Sequence, residues 1–570
     1  MKIVIAKTAG FCMGVRRAVD MVLDASTRYQ EQIFTYGPLI HNPQVLQMLQ
    51  EKKIFGIEKI PEKGSGIVLI RAHGVPPEDQ VALKNAGFTV INATCPRVVR
   101  VQVIINRYAK KGYATIIVGD KNHPEVIGLL GYAKGKGHTV TSMKELFSLP
   151  RFENAIVVAQ TTQNVSFYDE IKAWCQVHEP HYRICDTICG STEKRQTEIR
   201  NLAEENDAII VVGGKESGNT RRLAEIAAGT GKPALHIEDA SEINYEILSK
   251  AKSIALTAGA STPNWIITDT YRKIENNLQK KHAVKAALYF FRDFLLKTNI
   301  LASVGAGSLT YACSRLQGND RNLHHALIAM LYVLSMQIMN NLFAIRSDRY
   351  NHPKRALFYK ENQLYLWTLA VLSGGAGLYL SFLSGVVSFV LLLIMSFLGL
   401  SYNLKIIPMS VRKGKIARIK DIPGSKTILI VIAWGTVTCL LPAVVNHGNL
   451  LSVVVVFLFA TGLVFARTVF FDILAIQGDR ITGKETLPIL LGEKQSFAII
   501  KYTLIFEIGL IIIANLVDLL VNSAFFLAFI PFCMVLLVRF FEKDRLVSGE
   551  HREFIIEFLL ITTGLASAVI

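Results

Sequence analysis

From about Thr298 to the end of the chain, apolar stretches recur near residues 298–316, 323–345, 364–381, 386–402, 427–445, 450–470, 498–517, 523–538 and 553–570. Stretches of this kind are long enough to cross the hydrocarbon layer of a bilayer as helices. Inside that layer only helices and closed barrels satisfy their own backbone groups. Residues 298–570 are therefore expected to form an all-α polytopic membrane domain of about nine transmembrane helices. The basic residues sort by loop. Arg346, Arg349, Lys354, Arg355 and Lys360 follow the second stretch, and Lys405, Arg412, Lys413, Lys415, Arg418, Lys420 and Lys426 follow the fourth. Arg480, Lys484 and Lys494 follow the sixth, and Arg539, Lys543, Arg545 and Arg552 the eighth, whereas the opposite loops hold only Arg315 and Arg321. The excess of cytoplasmic Lys and Arg in membrane proteins then places the N-terminal half in the cytoplasm, in a multi-pass protein of the inner (cytoplasmic) membrane.

That sorting also accounts for much of the formal net charge of +17. The expected partner is the lipid bilayer, and no nucleic acid. Ala287–Lys297 mixes Tyr289, Phe290, Phe291 and Phe294 with Arg292 and Lys297, which suits an interfacial helix within a linker over residues 282–297. Eight cysteines in 570 residues are too sparse for a disulfide framework. The opening Met-Lys-Ile-Val-Ile-Ala-Lys runs directly into strand-like sequence, so no cleavable signal peptide is expected.

Residues 1–281 read differently. Short β-branched runs at Lys2–Ala6, Gly66–Ile70, Ala114–Val118, Ala155–Val158, Ala208–Val212 and Ser253–Thr257 alternate with helix-like stretches. This is the rhythm of α/β units with mainly parallel strands, whose ligands gather beyond the carboxyl ends of the strands.

Three cysteines share one context: Ala-Gly-Phe-Cys12-Met-Gly-Val, Asn-Ala-Thr-Cys95-Pro-Arg and Asp-Thr-Ile-Cys189-Gly-Ser-Thr. They lie 83 and 94 residues apart. Near-even spacing suggests three similar lobes, a pseudo-threefold α/β domain, each lobe giving one thiolate to a shared centre. Three thiolates can hold a [4Fe-4S] cluster with one iron left open, which adds Lewis acidity to electron transfer. Taken singly, each could equally be a buried structural cysteine. Cys175 and Cys185 lack the neighbouring Gly- or Pro-containing turn.

The histidines repeat the pattern in Gly-Pro-Leu-Ile-His41-Asn-Pro, Arg-Ala-His73-Gly-Val-Pro and Lys-Asn-His123-Pro-Glu125. Loop imidazoles converging from different strands suit a diphosphate. His138, His178, His181, His236 and His282 lack this context. Glu125 fits either a favourable carboxylate at a helix N-terminus or a proton donor beside a bound polyanion. Later strands end in Gln160-Thr161-Thr162-Gln163, Ser217-Gly218-Asn219-Thr220 and Ala260-Ser261-Thr262. Each alone reads as a helix N-cap, and together they read as a ring of donors for phosphate oxygens.

In the order and spacing of these motifs, residues 1–281 resemble the 4-hydroxy-3-methylbut-2-enyl diphosphate reductases, which catalyse the last step of the methylerythritol phosphate route to isoprenoids. The resemblance implies that Cys12, Cys95 and Cys189 hold the cluster. It implies that His41, His73, His123, Ser217, Asn219 and Ser261 clasp the diphosphate, that Glu125 relays protons, and that Thr161 orients the substrate alcohol. Thr162 and the backbone of Gly218 complete the substrate-binding set; many relatives have Ser in place of Gly218. Reduced ferredoxin or flavodoxin is the implied electron donor.

Two later segments resemble the UbiA-type membrane prenyltransferases. One runs Asn340-Asn341-Leu-Phe-Ala344-Ile-Arg-Ser-Asp348, the other Asp472-Ile-Leu-Ala475-Ile-Gln-Gly-Asp479, and the loop with Tyr402 and Pro423-Gly-Ser-Lys426 fits as well. The family's paired D-x-x-x-D motifs chelate Mg²⁺ for an allylic diphosphate. Here Ala344 and Ala475 stand in the first carboxylate position of each motif, and Asn341 replaces a further Asp. Asp348, Asp472 and Asp479 remain as a residual Mg²⁺ site. The expectation is a membrane-anchored reductase whose second half keeps the scaffold without the chemistry. The alternatives are a bifunctional protein that also transfers prenyl groups at the membrane, or a non-redox iron–sulfur hydratase.

Overall fold

The structure is a computed structural model that describes residues 2–248, 251–279, 283–319, 323–401, 424–446, 449–482, 484, 486–521, 524–543 and 549–568. Tyr402, Pro423, His282, Arg321, Arg545 and the basic residues between 405 and 420 lie outside the described residues. The chain divides into two compact units, Met1–Lys281 and His282–Ile570.

The first unit contains three four-stranded sheets, all parallel. The strands are β1 (Lys2–Ile5), β2 (Ile33–Tyr36), β3 (Phe55–Ile57), β4 (Ile67–Ile70), β5 (Thr89–Asn92), β6 (Ala114–Val118), β7 (Gly137–Val140), β8 (Ala155–Ala159), β9 (Arg183–Ile184), β10 (Ala208–Val212), β11 (Ala234–Ile237) and β12 (Ser253–Ala258). Their orders are β1-β12-β10-β11, β3-β2-β4-β5 and β7-β6-β8-β9. Four inner strands, β4, β6, β8 and β10, are buried at every residue, as parallel strands covered on both faces must be. Hence their unbroken Val/Ile/Leu/Ala runs were legible in the sequence. The strands that escaped it are short or half exposed, such as Thr-Val-Ile-Asn in β5 and Arg-Ile in β9.

One relation recurs in each sheet. The edge strands β1, β5 and β9 lead to Cys12, Cys95 and Cys189, and each cysteine N-caps the next helix: α1 (Met13–Arg28), α3 (Pro96–Ala109) and α5 (Gly190–Glu205). Each cysteine N–H donates to a carbonyl in the loop after the adjacent inner strand: Cys12 to Ala260 at 3.1 Å, Cys95 to Ala72 at 2.9 Å and Cys189 to Thr161 at 2.9 Å. Three further helices begin at the ends of inner strands: α2 (Pro43–Glu51), α4 (Pro124–Gly131) and α6 (Gly218–Ala228), capped by Asn42, His123 and Ser217. Gly14 must be small, because a Cβ there would overlap Cys95 Sγ.

The second unit is helical: α7 (Ala283–Lys297), α8 (Ile300–Leu316), α9 (His324–Asn351), α10 (Gln363–Ser384), α11 (Val386–Ser401), α12 (Ser425–Val445), α13 (Leu450–Leu474), α14 (Glu493–Leu516), α15 (Ala524–Glu542) and α16 (Gly549–Ser567). Among the described residues, six helices are long and apolar enough to cross a membrane: α9 over its first 22 residues, α10, α12, α13, α14 and α15. The nine apolar stretches therefore do not all yield a full-length span. α8 has 17 residues and α11 has 16, while α16 carries Glu550, Arg552, Glu553 and Glu557.

Gly305 on α8, facing Leu560, and Gly564 on α16, facing Ser308, let these helices approach closely. A buried ion pair joins α13 to α16: Arg467 Nε donates to Glu557 Oε2 at 3.0 Å, and a second guanidinium nitrogen engages Oε1. The guanidinium also lies over the rings of Trp434 (5.1 Å) and Phe471 (4.7 Å). Removing one partner strands the other charge, at a typical cost of about 3–5 kcal/mol, whereas replacing both by apolar groups can be nearly neutral. Glu557→Leu should therefore lower the thermal midpoint of the detergent-solubilised protein, and Arg467→Met combined with Glu557→Leu should recover most of the loss, as followed by intrinsic fluorescence.

Candidate functional site

The carboxyl ends of the inner strands open on one cavity of about 90 Å³ in the first unit. Its lining includes Cys12, Cys95 and Cys189, His41, His73 and His123, Glu125, Thr161 and Thr162, and Ser217, Gly218, Asn219 and Ser261. The three cysteines, the three histidines, Glu125 and the expected substrate-binding residues thus reach the same space, while Gln160, Gln163, Thr220 and Thr262 of the strand-end segments are not in its lining. His41 follows β2, His73 follows β4, His123 follows β6, Thr161 follows β8, Ser217 follows β10 and Ser261 follows β12. Cys175 is buried beneath α-helical packing around Tyr168, and Cys185 packs near Ile156 and Val158. Neither lines the cavity. His138, His178, His181 and His236 are also elsewhere, bonded to or stacked on local groups.

The imidazoles of His41, His73 and His123 stand 4.9–5.8 Å apart by ring centroid. One nitrogen from each falls within 4.8 Å of the others, a spacing that would also suit a metal. The tautomer argues for a different ligand. His123 Nδ1 accepts from the Glu125 N–H at 3.1 Å, so a neutral ring carries its proton on Nε2 and presents a donor instead of a lone pair. Burial pushes all three rings below their ordinary values, His123 to about 4, and His73 is lowered further by its two neighbours. Three buried donors lack a partner among the described residues or could serve one: His41 Nε2, His73 Nδ1 and Asn219 Nδ2. Buried polar groups are normally satisfied, so this set fits an anion with several oxygens. Ser261 Oγ lies 3.1 Å from both Ser217 Oγ and the His41 carbonyl, which holds three loops together. Gly218 opens α6, and a Cβ on it would lie 3.4 Å from His123 Nε2.

Glu125 is 1% exposed. It accepts from the Thr161 N–H at 2.6 Å and lies 2.9 Å from Thr161 Oγ1. Burial outweighs these bonds and lifts its carboxyl to about 7. A carboxyl that titrates near neutrality in a cleft can hold and deliver a proton.

The cysteines sit at three helix N-termini, where backbone N–H groups favour thiolates. Val15 N–H points at Cys12 Sγ over 3.4 Å. Burial raises the Cys95 thiol, the amides of Arg97 and Val98 partly offset this, and the nearness of Cys12 and Cys189 adds to the rise. Mutual repulsion of this kind is what a multivalent cation core relieves.

Sequence reading missed a supporting layer built on Asp120 and Arg222, in which Gln160 and Gln163 brace loops instead of meeting phosphate. Arg222 forms a two-pronged pair with Asp120 at 3.1 Å and donates through Nε to Gln163 Oε1 at 2.9 Å. Gln160 Oε1 accepts from the Asp120 N–H at 3.0 Å. These groups hold the loops on either side of His123 and Thr161. Nothing local marks them, since Asp120 and Arg222 are 102 residues apart.

In the second unit, a cavity of about 600 Å³ receives both aspartate segments: Asn340, Asn341, Ala344 and Asp348 from α9, and Asp472, Ala475 and Asp479 after α13. Each remaining carboxylate already has cationic company. Asp472 bonds Lys426 Nζ at 2.7 Å and Thr427 Oγ1 at 3.1 Å. Lys484 Nζ is 3.5 Å from Asp479 and 4.0 Å from Asp348, and Arg355 is 3.8 Å from Asp348. Asn341 Nδ2 reaches Asn299 Oδ1 and Tyr359 Oη at 3.3 Å, a donor role that an aspartate could not fill.

The family model described as LytB protein matches residues 3–275, and that described as UbiA prenyltransferase family matches residues 300–559. A 4-hydroxy-3-methylbut-2-enyl diphosphate reductase of Aquifex aeolicus is 40% identical over 276 residues, 48% of this chain and 96% of the relative. That of Alkaliphilus oremlandii is 40% identical over 279 residues, 48% of this chain and 100% of the relative. A solved E-1-hydroxy-2-methyl-but-2-enyl-4-diphosphate reductase from Plasmodium falciparum is 28% identical with a TM-score of 0.46, covering 49% of this chain and 88% of the solved one. Through its first half the chain belongs to the LytB family of 4-hydroxy-3-methylbut-2-enyl diphosphate reductases, and its second half matches the UbiA prenyltransferase family model.

Proposed function

We propose that the chain is a membrane-anchored 4-hydroxy-3-methylbut-2-enyl diphosphate reductase: residues 1–281 are the reductase domain, 282–297 an interfacial linker helix and 298–570 the UbiA-like membrane domain. The reaction replaces the C4 hydroxyl of (E)-4-hydroxy-3-methylbut-2-enyl diphosphate by hydrogen. It takes up two electrons and two protons, releases water, and gives isopentenyl and dimethylallyl diphosphates. The observation that carries the reading is the convergence on one cavity of three helix-capping cysteines, three uncharged imidazoles and a buried carboxyl near pKa 7.

The three sheets, each with a cysteine after its edge strand and polar groups after its inner strands, support a pseudo-threefold, three-lobed domain. In it Cys12, Cys95 and Cys189 hold a [4Fe-4S] cluster. When bound, that cluster supplies electrons and a Lewis-acidic iron free of cysteine. His41, His73, His123, Ser217, Asn219 and Ser261, with the Gly218 N–H, receive the diphosphate oxygens through neutral donors. Thr162, which accepts from Gln160 Nε2 at 3.0 Å, steadies the neighbouring loop. Thr161 Oγ1 stands between Glu125 and the cavity. When Glu125 is protonated its O–H can donate to Thr161 Oγ1, which frees the threonine hydrogen to turn toward the substrate hydroxyl. The departing hydroxyl can thus be protonated through Thr161 without exposing Glu125 to water. Reduced ferredoxin or flavodoxin feeds the electrons.

For the membrane half, α8, α11 and α16 complete nine membrane-embedded helices, and the loops rich in Lys and Arg face the cytoplasm together with the reductase domain, in the inner membrane. The exposed Phe290 and Phe291 of α7 fit the bilayer interface. The carboxylates Asp348, Asp472 and Asp479 are neutralised internally by Arg355, Lys426 and Lys484. Mg²⁺ would have to displace these cations and has lost two carboxylate ligands, so this half serves as an anchor.

Three outcomes follow. Cys12→Ser, Cys95→Ser and Cys189→Ser should each lose the iron–sulfur absorption of anaerobically purified protein, because a hard hydroxyl replaces a soft thiolate, while Cys175→Ser and Cys185→Ser keep it. Essential Cys185 with dispensable Cys189 would refute the ligand set, and turnover that needs no reduced donor would favour a hydratase.

Because the acid form of Glu125 is required and its carboxyl sits near 7, wild-type kcat/KM should fall as pH rises above about 7. Glu125→Gln should lose about 10²-fold or more in kcat with little change in KM, and should lose that alkaline limb. A wild-type rate in this variant would reduce Glu125 to a helix-end charge.

The full-length chain should show no Mg²⁺-dependent prenyl transfer to aromatic or lipid acceptors, and Ala344→Asp with Ala475→Asp should raise Mg²⁺ affinity measured by titration calorimetry. Robust transfer by the unmodified chain, abolished in Asp479→Asn, would instead establish the bifunctional alternative.

A further inference from the structure

Helix α5, which Cys189 caps, carries two side chains that reach across to the chain around Cys12. Glu198 accepts from the N–H groups of Lys7 at 2.7 Å and Thr8 at 2.9 Å, and from Thr8 Oγ1 at 2.5 Å. Two turns of helix from Cys189, Arg195 is 4% exposed. Its two terminal nitrogens donate to the carbonyls of Ala258 at 2.9 Å and Gly10 at 2.6 Å. Gly10 lies two residues before Cys12 and adopts φ +104, a conformation open to glycine. Ala258 lies two residues before Ala260, whose carbonyl accepts from the Cys12 N–H at 3.1 Å. The guanidinium therefore braces both strands of the short backbone path that presents Cys12.

The Arg195 guanidinium makes no direct ion pair with a carboxylate among the described residues. Among the described residues its hydrogen bonds go only to carbonyl oxygens, and the buried Nε has no partner. The anionic groups within its electrostatic reach are Cys12, Glu198 and Cys189. Glu198 bonds only neutral donors, the Lys7 and Thr8 amides and the Thr8 hydroxyl, and stands second to Cys12 among these neighbours. Burying an ionised guanidinium is costly unless an anion lies nearby. Two of the three thiolates therefore answer it together with Glu198, Cys12 foremost.

We propose that Arg195 is a positioning residue that holds Cys12 in register with Cys189 and whose buried charge favours the one-electron-reduced state of the cluster these cysteines share. The inference rests on the cluster reading above. Reduction adds one negative charge to a centre already made anionic by three thiolates, so a fixed cation nearby stabilises the reduced form more than the oxidised one. Losing the charge should change the reduced-to-oxidised ratio at a given potential by about tenfold, equivalent to about 59 mV for a one-electron couple.

The test uses full-length protein purified anaerobically in detergent, with iron and sulfide counted and the midpoint potential measured by EPR-monitored titration with dithionite. Arg195→Gln should retain iron and sulfide near the wild-type ratio and titrate about tenfold harder to reduce. Arg195→Lys, which keeps the charge and loses the fork, should stay within about threefold of wild type. Glu198→Gln, which removes an anion from the same loop, should make the cluster no harder to reduce, and a shift in the same direction as Arg195→Gln would overturn the assignment to the cation's charge. An Arg195→Gln protein with full iron and an unchanged potential overturns the inference. If Arg195→Gln fails to load iron, Arg195→Lys decides: a potential near wild type supports the role of the charge, and one shifted tenfold overturns it. Wild-type protein devoid of iron and sulfide overturns the cluster reading itself.

Discussion

Three backbone hydrogen bonds, from the amides of Cys12, Cys95 and Cys189 to the loops after the neighbouring inner strands, fix where chemistry can occur in the first unit. Each bond ties a cysteine-bearing turn at the edge of a sheet to the turn that carries a polar residue at its centre. The strands beneath are buried on both faces, so the turns above them cannot drift without breaking a parallel ladder. In consequence, thiols, imidazoles and the Glu125 carboxyl are held over one small cavity by main-chain geometry, before any side-chain contact is considered. Gly14, pressed against Cys95, belongs to the same constraint.

The electrostatics follow from that confinement. Burial discharges the imidazoles and raises Glu125 to about 7, so at neutral pH the imidazoles offer uncharged donors and Glu125 a proton. Arg97 lines the cavity, whereas the Asp120–Arg222 pair and Arg195 are set one layer out, where they orient loops. The membrane unit shows the opposite solution. Its carboxylates Asp348, Asp472 and Asp479 stand beside Arg355, Lys426 and Lys484, and the buried Arg467 is closed by Glu557 between aromatic faces. One cavity is arranged to receive an anion, and in the other the acidic groups already face cations of the same chain.

Much of the site was readable because its residues fall at punctuation points. His41, His73 and His123 stand beside Gly, Pro or Asn at strand ends, and Cys12, Cys95 and Cys189 open helices, so local spacing betrays them. Asp120, Arg195 and Arg222 were not readable, and Gln160 and Gln163 were read only as strand-end donors, because each gains its bracing role from a partner 40 or more residues away that no local pattern predicts. The same limit applies to the strands. β6 and β10 announce themselves as continuous apolar runs, whereas β5, β7 and β9 lie at sheet edges, face solvent in part and read as loops.

The sequence by itself determined the division into an α/β half and a helical membrane half, since a change from short alternating runs to long apolar ones requires a change of solvent. It also determined the identities of the cysteines, histidines and Glu125, because their chemistry is local. Only the tertiary structure decided that they share one cavity, that Glu125 is lifted to the pKa of a proton donor, and that the surviving aspartates of the membrane half are already paired. Burial and charge pairing depend on which distant segments pack together, and that information resides in the fold of the whole unit rather than in any stretch of it.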